Sequence, residues 1–119
     1  MSVRIRDLLI VSALIFISLH TAGCVSTSVG DARYSGSDLL LSFTHNGAPS
    51  EGYVQVTIYR IQDNMQEEAE TRYTSLNLQP GENIASVNGT LEPGQYKLYI
   101  YLIQDGERKA AAIRDITVT

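Results

Sequence analysis

The stretch Leu91-Glu92-Pro93-Gly94-Gln95-Tyr96-Lys97-Leu98-Tyr99-Ile100-Tyr101-Leu102-Ile103 decides the fold of this chain. Pro93-Gly94 interrupts any preceding element, and beyond it Tyr96, Leu98, Ile100 and Leu102 alternate with Lys97, Tyr99, Tyr101 and Ile103. A period of two over eight residues is the signature of a strand that buries one face. Asp105-Gly106 then supplies a two-residue hairpin turn into Ala110–Val118, where Ile116 and Val118 alternate with Thr117.

The same period extends toward the N-terminus. Leu39, Leu41 and Phe43 alternate with Leu40, Ser42 and Thr44, and the run stops at His45-Asn46-Gly47-Ala48-Pro49, a turn signal. Val54, Val56 and Ile58 oppose Tyr53, Gln55, Thr57 and Tyr59. Ala69–Leu78 sets Tyr73, Ser75 and Asn77 against Thr74, Leu76 and Leu78 and ends at Pro80-Gly81. Asn83–Asn88 is a short strand with Ile84 as its expected inward residue. Between the second and third of these, Asp63–Glu70 (DNMQEEAE) is almost wholly polar. It lacks the apolar stripe a helix would need, so it reads as a solvated loop or irregular strand entry. Short alternating strands without intervening helices predict an all-β fold, an antiparallel sandwich of six to seven strands over residues 38–119.

Leu91-Glu92-Pro93-Gly94-Gln95-Tyr96 resembles the Leu-x-Pro-Gly-x-Tyr corner of immunoglobulin-like and fibronectin type III-like sandwiches. The resemblance implies that the Tyr96 hydroxyl ties the corner to nearby backbone. Together with Thr44-His45-Asn46-Gly47 and Leu78-Gln79-Pro80-Gly81, the corner is also similar to the CARDB-type domains of prokaryotic surface proteins. The single cysteine and the absence of tryptophan exclude an antibody-type domain, whose core needs both a disulfide and a tryptophan.

The other informative end is the first. Met1–Asp7 carries Arg4 and Arg6, Leu8–Leu19 is apolar apart from Ser12 and Ser18, and Thr21-Ala22-Gly23-Cys24 closes the run with small residues. That order is that of a secretory signal helix. A run of about a dozen residues is short against the ~20 needed to span hydrocarbon. Ala22-Gly23-Cys24 resembles a lipobox, which implies cleavage after residue 23 and lipid on Cys24. Thr21 stands where bacterial boxes usually carry leucine, which is similar to the more varied archaeal ones. Two acyl or alkyl chains on one cysteine would hold the protein stably, each buried methylene contributing ~0.8 kcal/mol. Residues 24–37, rich in Ser, Thr, Gly and Ala, read as the anchor site and a flexible linker. The expected location is therefore the extracytoplasmic face of a cell membrane, with membrane lipid as the first partner.

Removing Arg4, Arg6 and Asp7 with the leader changes the net charge from −4 to −5. An acidic domain without a Lys/Arg cluster lacks the electrostatic footprint of nucleic-acid binding. No catalytic constellation is legible. His45 is the only histidine after the leader and reads as a turn residue, and the strand serines Ser42, Ser75 and Ser86 lack a Gly-x-Ser-x-Gly elbow. The Glu67-Glu68-Glu70 cluster lacks the spacing of a calcium loop. The sequence thus points to no enzyme, metal or cofactor.

Tyr53, Tyr59, Tyr99 and Tyr101 all fall opposite the core-directed positions of their strands. If those strands share a sheet, they form an exposed band with Ile61 and Ile103 at its end, suited to a protein or glycan partner. Cross-strand pairing alone would also favour tyrosine there. Asn88-Gly89-Thr90 is an N-glycosylation sequon at an expected turn. The leading expectation is a lipid-anchored surface protein displaying a non-catalytic immunoglobulin-like binding or structural module, with adhesion among its roles. One alternative is an accessory lipoprotein of a transport complex or a small-solute binder, which requires a concave apolar pocket. Another is an inhibitor-like sandwich acting through loops 46–52 and 104–109.

Overall fold

The computed structural model describes residues 26–119. The signal helix, the lipobox and Cys24 lie outside the described residues. Seven strands follow in order: β1 (Ser26–Tyr34), β2 (Asp38–Asn46), β3 (Ser50–Gln62), β4 (Met65–Leu78), β5 (Gly81–Asn88), β6 (Gly94–Gln104) and β7 (Glu107–Val118). They build two antiparallel sheets, β1-β2-β5 and β4-β3-β6-β7. The fold is an immunoglobulin-like β-sandwich. The fourth strand pairs with the third instead of joining the first sheet, as in the fibronectin type III-like branch and unlike antibody constant domains.

The core is what the alternation dictates. Leu39, Leu41 and Phe43 from β2 face Val54, Val56 and Ile58 from β3 and Tyr96, Leu98, Ile100 and Leu102 from β6, all in one buried cluster. Ala85 and Val87 of β5, Leu76 and Leu78 of β4, Leu91 of the corner and Val118 of β7 complete it. At ~1.5–3 kcal/mol per buried aliphatic or aromatic side chain, this layer is the main favourable term opposing chain entropy. The Asp105-Gly106 hairpin forms as its sequence indicates, with φ of 52° and 74° at its two residues.

The corner at Leu91–Tyr96 forms as well. The buried Tyr96 hydroxyl donates to the Glu92 carbonyl at 2.7 Å. Arg60 closes it from the neighbouring strand, donating to Glu92 Oε2 and to the Pro93 carbonyl, each at 3.2 Å. Its guanidinium carbon lies 5.9 Å from the centre of the Tyr96 ring.

Three expectations need correction and a fourth is narrowed. The stretch read as a linker is largely strand, because Ser26–Tyr34 pairs along β2 as an edge. Pairing uses backbone groups, so a Ser/Thr/Gly-rich sequence can supply an edge strand if a few side chains reach the core, and here Val29, Ala32 and Tyr34 do. A bulge between Val29 and Ala32 turns two carbonyls toward β7, where Arg114 donates to Gly30 O and Val29 O, each at 2.9 Å.

The polar segment 63–70 is a two-residue turn followed by paired strand, with an irregularity where its register against β3 shifts between Glu68 and Glu70. Asp63 and Asn64, with φ of 52° and 62°, make a two-residue turn, and β4 starts at Met65. An edge strand whose outer end extends past the core has little to bury, so its sequence carries no alternation. Ile84 points outward and is 48% exposed, whereas Asn83, Ala85 and Val87 point inward. The Asn83 amide sets that parity. Its Oδ1 accepts from Gln79 N at 2.8 Å, and its Nδ2 donates to the Gln79 and Gly81 carbonyls at 2.9 and 3.1 Å. Shifting the strand by one residue would break this turn and flip every side chain. Finally, Ile103 is 7% exposed and so is not part of an exposed band; a bulge between Leu102 and Ile103 sets it between Tyr53 and Arg108.

Candidate functional site

β3 and β6 are hydrogen-bonded neighbours, so the tyrosines expected to form a band do share one surface, the outer face of the four-stranded sheet. Register places Gln55 between Tyr73 and Tyr101, and Thr57 between Thr71 and Tyr99. Tyr53 lies between Ser75 and Ile103, and Tyr59 lies beside Lys97. Diagonal neighbours interlock. The Tyr59 and Tyr99 rings meet edge to face with centroids 5.0 Å apart at 72°, and Tyr53 and Tyr73 tilt at 51° with centroids 6.3 Å apart. Such contacts exceed simple area burial by ~0.5–1.5 kcal/mol, which favours these ring orientations.

Polar groups fill the spaces between rings. The Tyr99 hydroxyl donates to Gln66 Oε1 at 3.4 Å, and the Thr57 and Thr71 hydroxyls are 3.3 Å apart. Arg108 lies over the Tyr101 ring with its guanidinium carbon 4.2 Å from the centroid, close enough for cation–π attraction. Beside it Tyr99, Tyr101, Ala111, Ala112 and Ile113 line a shallow open depression of about 470 Å³.

Three members of this face were not singled out from sequence. Tyr73 is 62% exposed, Ile113 is 52% exposed, and Arg108 completes the Tyr101 stack. The parity of Tyr73 against Leu76 and Leu78 was readable, but nothing in the sequence says that β4 lies beside β3 in this sheet. Ile113 follows Ala110-Ala111-Ala112, a run without alternation.

His45 is a buried strand residue, not a turn residue. Its Nε2 hydrogen donates to the Ala48 carbonyl at 2.9 Å, which leaves Nδ1 to accept from the Thr27 hydroxyl at 2.8 Å. Both ring nitrogens are therefore used in tying β1 and the 47–49 turn to β2. Among the described residues no three His, Cys, Asp or Glu side chains converge as metal ligands would.

Asn88 is exposed at the end of β5, and Thr90 is exposed in the loop that follows. Gly89 between them has φ 145°, and a Cβ there would collide with the Arg72 guanidinium. Arg72 pairs with Glu70, whose carboxyl is held below its usual range mainly by the Arg72 hydrogen bonds; the same hydrogen bonds, with the Glu70 charge second, raise the Arg72 value.

The loops of the inhibitor-like alternative also meet. Gln104 Nε2 donates to Ser50 Oγ at 3.1 Å and to Glu51 O at 3.0 Å, joining the 47–49 turn to the 105–106 turn.

No protein-family model matches the chain, and no curated protein matches it. Among solved structures it is similar to part of the crystal structure of a beta-glucosidase from Kluyveromyces marxianus in complex with glucose, at 11% identity and a TM-score of 0.42. The match covers 79% of this chain and 14% of that one, so the chain spans a small fraction of that protein's length, and at this TM-score the likeness decides nothing about function.

Proposed function

We propose that this chain is a lipid-anchored cell-surface protein that displays a non-catalytic immunoglobulin-like module and binds a partner through the outer face of β4-β3-β6-β7. The observation that carries the reading is the set of five tyrosines, Tyr53, Tyr59, Tyr73, Tyr99 and Tyr101, gathered on that one face. Rings already packed against a neighbouring ring or, for Tyr101, against Arg108 lose less conformational freedom on binding, and each offers an apolar body with a polar tip. The continuous buried core favours this reading over a solute binder, which needs an enclosed apolar cavity.

Replacing Tyr99 and Tyr101 together with serine tests the site, because both side chains lie outside the core. The double variant should keep the circular dichroism of the native protein and lose retention on envelope or partner fractions. Unchanged retention with an intact fold refutes this face as the contact surface. In the same reading Asn88 carries an N-linked glycan, whose mass should vanish from the native protein on Thr90→Ala and persist on Thr90→Ser. A native mass without glycan removes that modification and leaves the tyrosine face untouched.

A further inference from the structure

We infer that the end of the sandwich carrying the 47–49, 79–80 and 105–106 turns rests against the lipid surface, with the tyrosine face standing upright beside it. The inference depends on the lipid at Cys24 and concerns how the anchored domain is oriented.

A flexible spacer of about 13 residues would let the domain tumble over roughly 20 Å. The strand β1 uses up that spacer. Ser26 is already in register with Asn46, the last residue of β2, and Thr27 is hydrogen-bonded to His45. Only Val25 separates Ser26 from Cys24. Two trans peptide links reach at most about 7.6 Å between Cα atoms. A lipid on Cys24 therefore brings the Ser26 end of the domain to within one such reach of the headgroups.

Chain direction fixes what else is at that end. β1 leaves it and β2 returns to it, so the turns after β2, β4 and β6 gather there, while those after β1, β3 and β5 lie at the opposite end. The three turns beside the anchor are short: Gly47-Ala48-Pro49, Gln79-Pro80 and Asp105-Gly106. The Gln104 bonds to Ser50 and Glu51 knit two of them together. The result is a blunt base without a projecting loop to hold it away from a flat surface.

Charge does not draw it there. Glu51, Asp105 and Glu107 outnumber Arg108 and Lys109 around this end, so the contact is imposed by the short tether and suits a zwitterionic surface better than an anionic one. The 13-residue β3 then carries the opposite end about 40 Å outward at ~3.3 Å per residue. That distal end holds the Asp63-Asn64 turn, Asn88 and the Tyr96 corner. The tyrosine face becomes a lateral surface, and the 46–52 and 104–109 loops are closed to a soluble partner.

The test uses the full lipidated protein in phosphatidylcholine vesicles containing nitroxide-headgroup lipid. A fluorophore is placed on Ala48→Cys in one variant and on Gln62→Cys in another; both positions are exposed, one at each end of β3. Quenching should be several-fold stronger at position 48 than at 62. Vesicle-bound protein with equal quenching at both sites, or stronger quenching at 62, overturns the orientation alone. Protein that lacks lipid mass and does not float with the vesicles overturns the anchor, and the orientation with it.

Discussion

Tyr96→Phe removes one oxygen from the best-defined contact in the domain. The ring is buried and stays in place, so packing is unchanged and the Arg60 contact with the ring is retained. What disappears is a 2.7 Å hydrogen bond to the Glu92 carbonyl. A buried neutral hydrogen bond contributes about 0.5–1.5 kcal/mol net, and orphaning a fully buried partner would raise the cost to ~3 kcal/mol. Glu92 is exposed, so water can reach its carbonyl, and the expected loss is about 1–1.5 kcal/mol. For a domain of this size each kcal/mol lowers Tm by ~4–8 °C, so the melting point should fall by roughly 5–10 °C. Thermal and urea unfolding followed by circular dichroism read this directly, with the urea slope unchanged because the exposed area is unchanged. Tyr101→Phe, on the outer face, is the control and should stay within ~0.5 kcal/mol. Equal small shifts in both variants would refute the claim that the corner hydrogen bond holds β6 to its loop.

Arg114→Leu should release β1 from β7 without melting the sandwich. Loss of two hydrogen bonds from a charged donor, at ~1.5–3 kcal/mol each when undisturbed, should raise amide exchange across Ser26–Tyr34 while β3 and β6 stay protected. Uniform exchange across all strands would show that β1 is not a separable edge. Leu41→Ala should cost about 2–5 kcal/mol in urea unfolding and Ile84→Ala less than ~0.5 kcal/mol, the reverse ranking contradicting the observed parity of β5. For Glu70, a carboxyl whose folded value lies below its usual 4.5, the contribution is present at neutral pH and is lost as pH falls through the folded value. Glu70→Gln should therefore melt slightly below the native protein at pH 7 and coincide with it in strong acid. The gap is small because the side chain is 43% exposed and screened by solvent, and a gap that grows in acid would contradict the pairing.

How much of this was legible in the sequence follows from where each residue sits. In β2, β3 and β6 one face is buried wherever the strand crosses the core, so alternation there identifies inward residues without knowledge of the partner strands. Edge strands escape that reading. β1 sends only three apolar side chains, all partly buried, against the core, and Met65, Gln66 and Glu67 at the start of β4 are exposed. In β5 an inward asparagine looks polar and an outward isoleucine looks apolar, so composition named the wrong face; only the hydrogen bonds of Asn83 to the turn reveal why.

The sequence by itself determined the all-β sandwich, the buried Tyr96 corner, the Asp105-Gly106 hairpin and the outward parity of Tyr53, Tyr59, Tyr99 and Tyr101. These are local properties, set by a period of two and by turn residues within a few positions. Tertiary structure decided that β3 and β6 are neighbours, that Tyr73, Arg108 and Ile113 join the same face, and that residues 26–34 are strand instead of tether. Those outcomes depend on which strands pair across long sequence separations, and a strand's own residues record which face is buried but not which neighbour lies beside it.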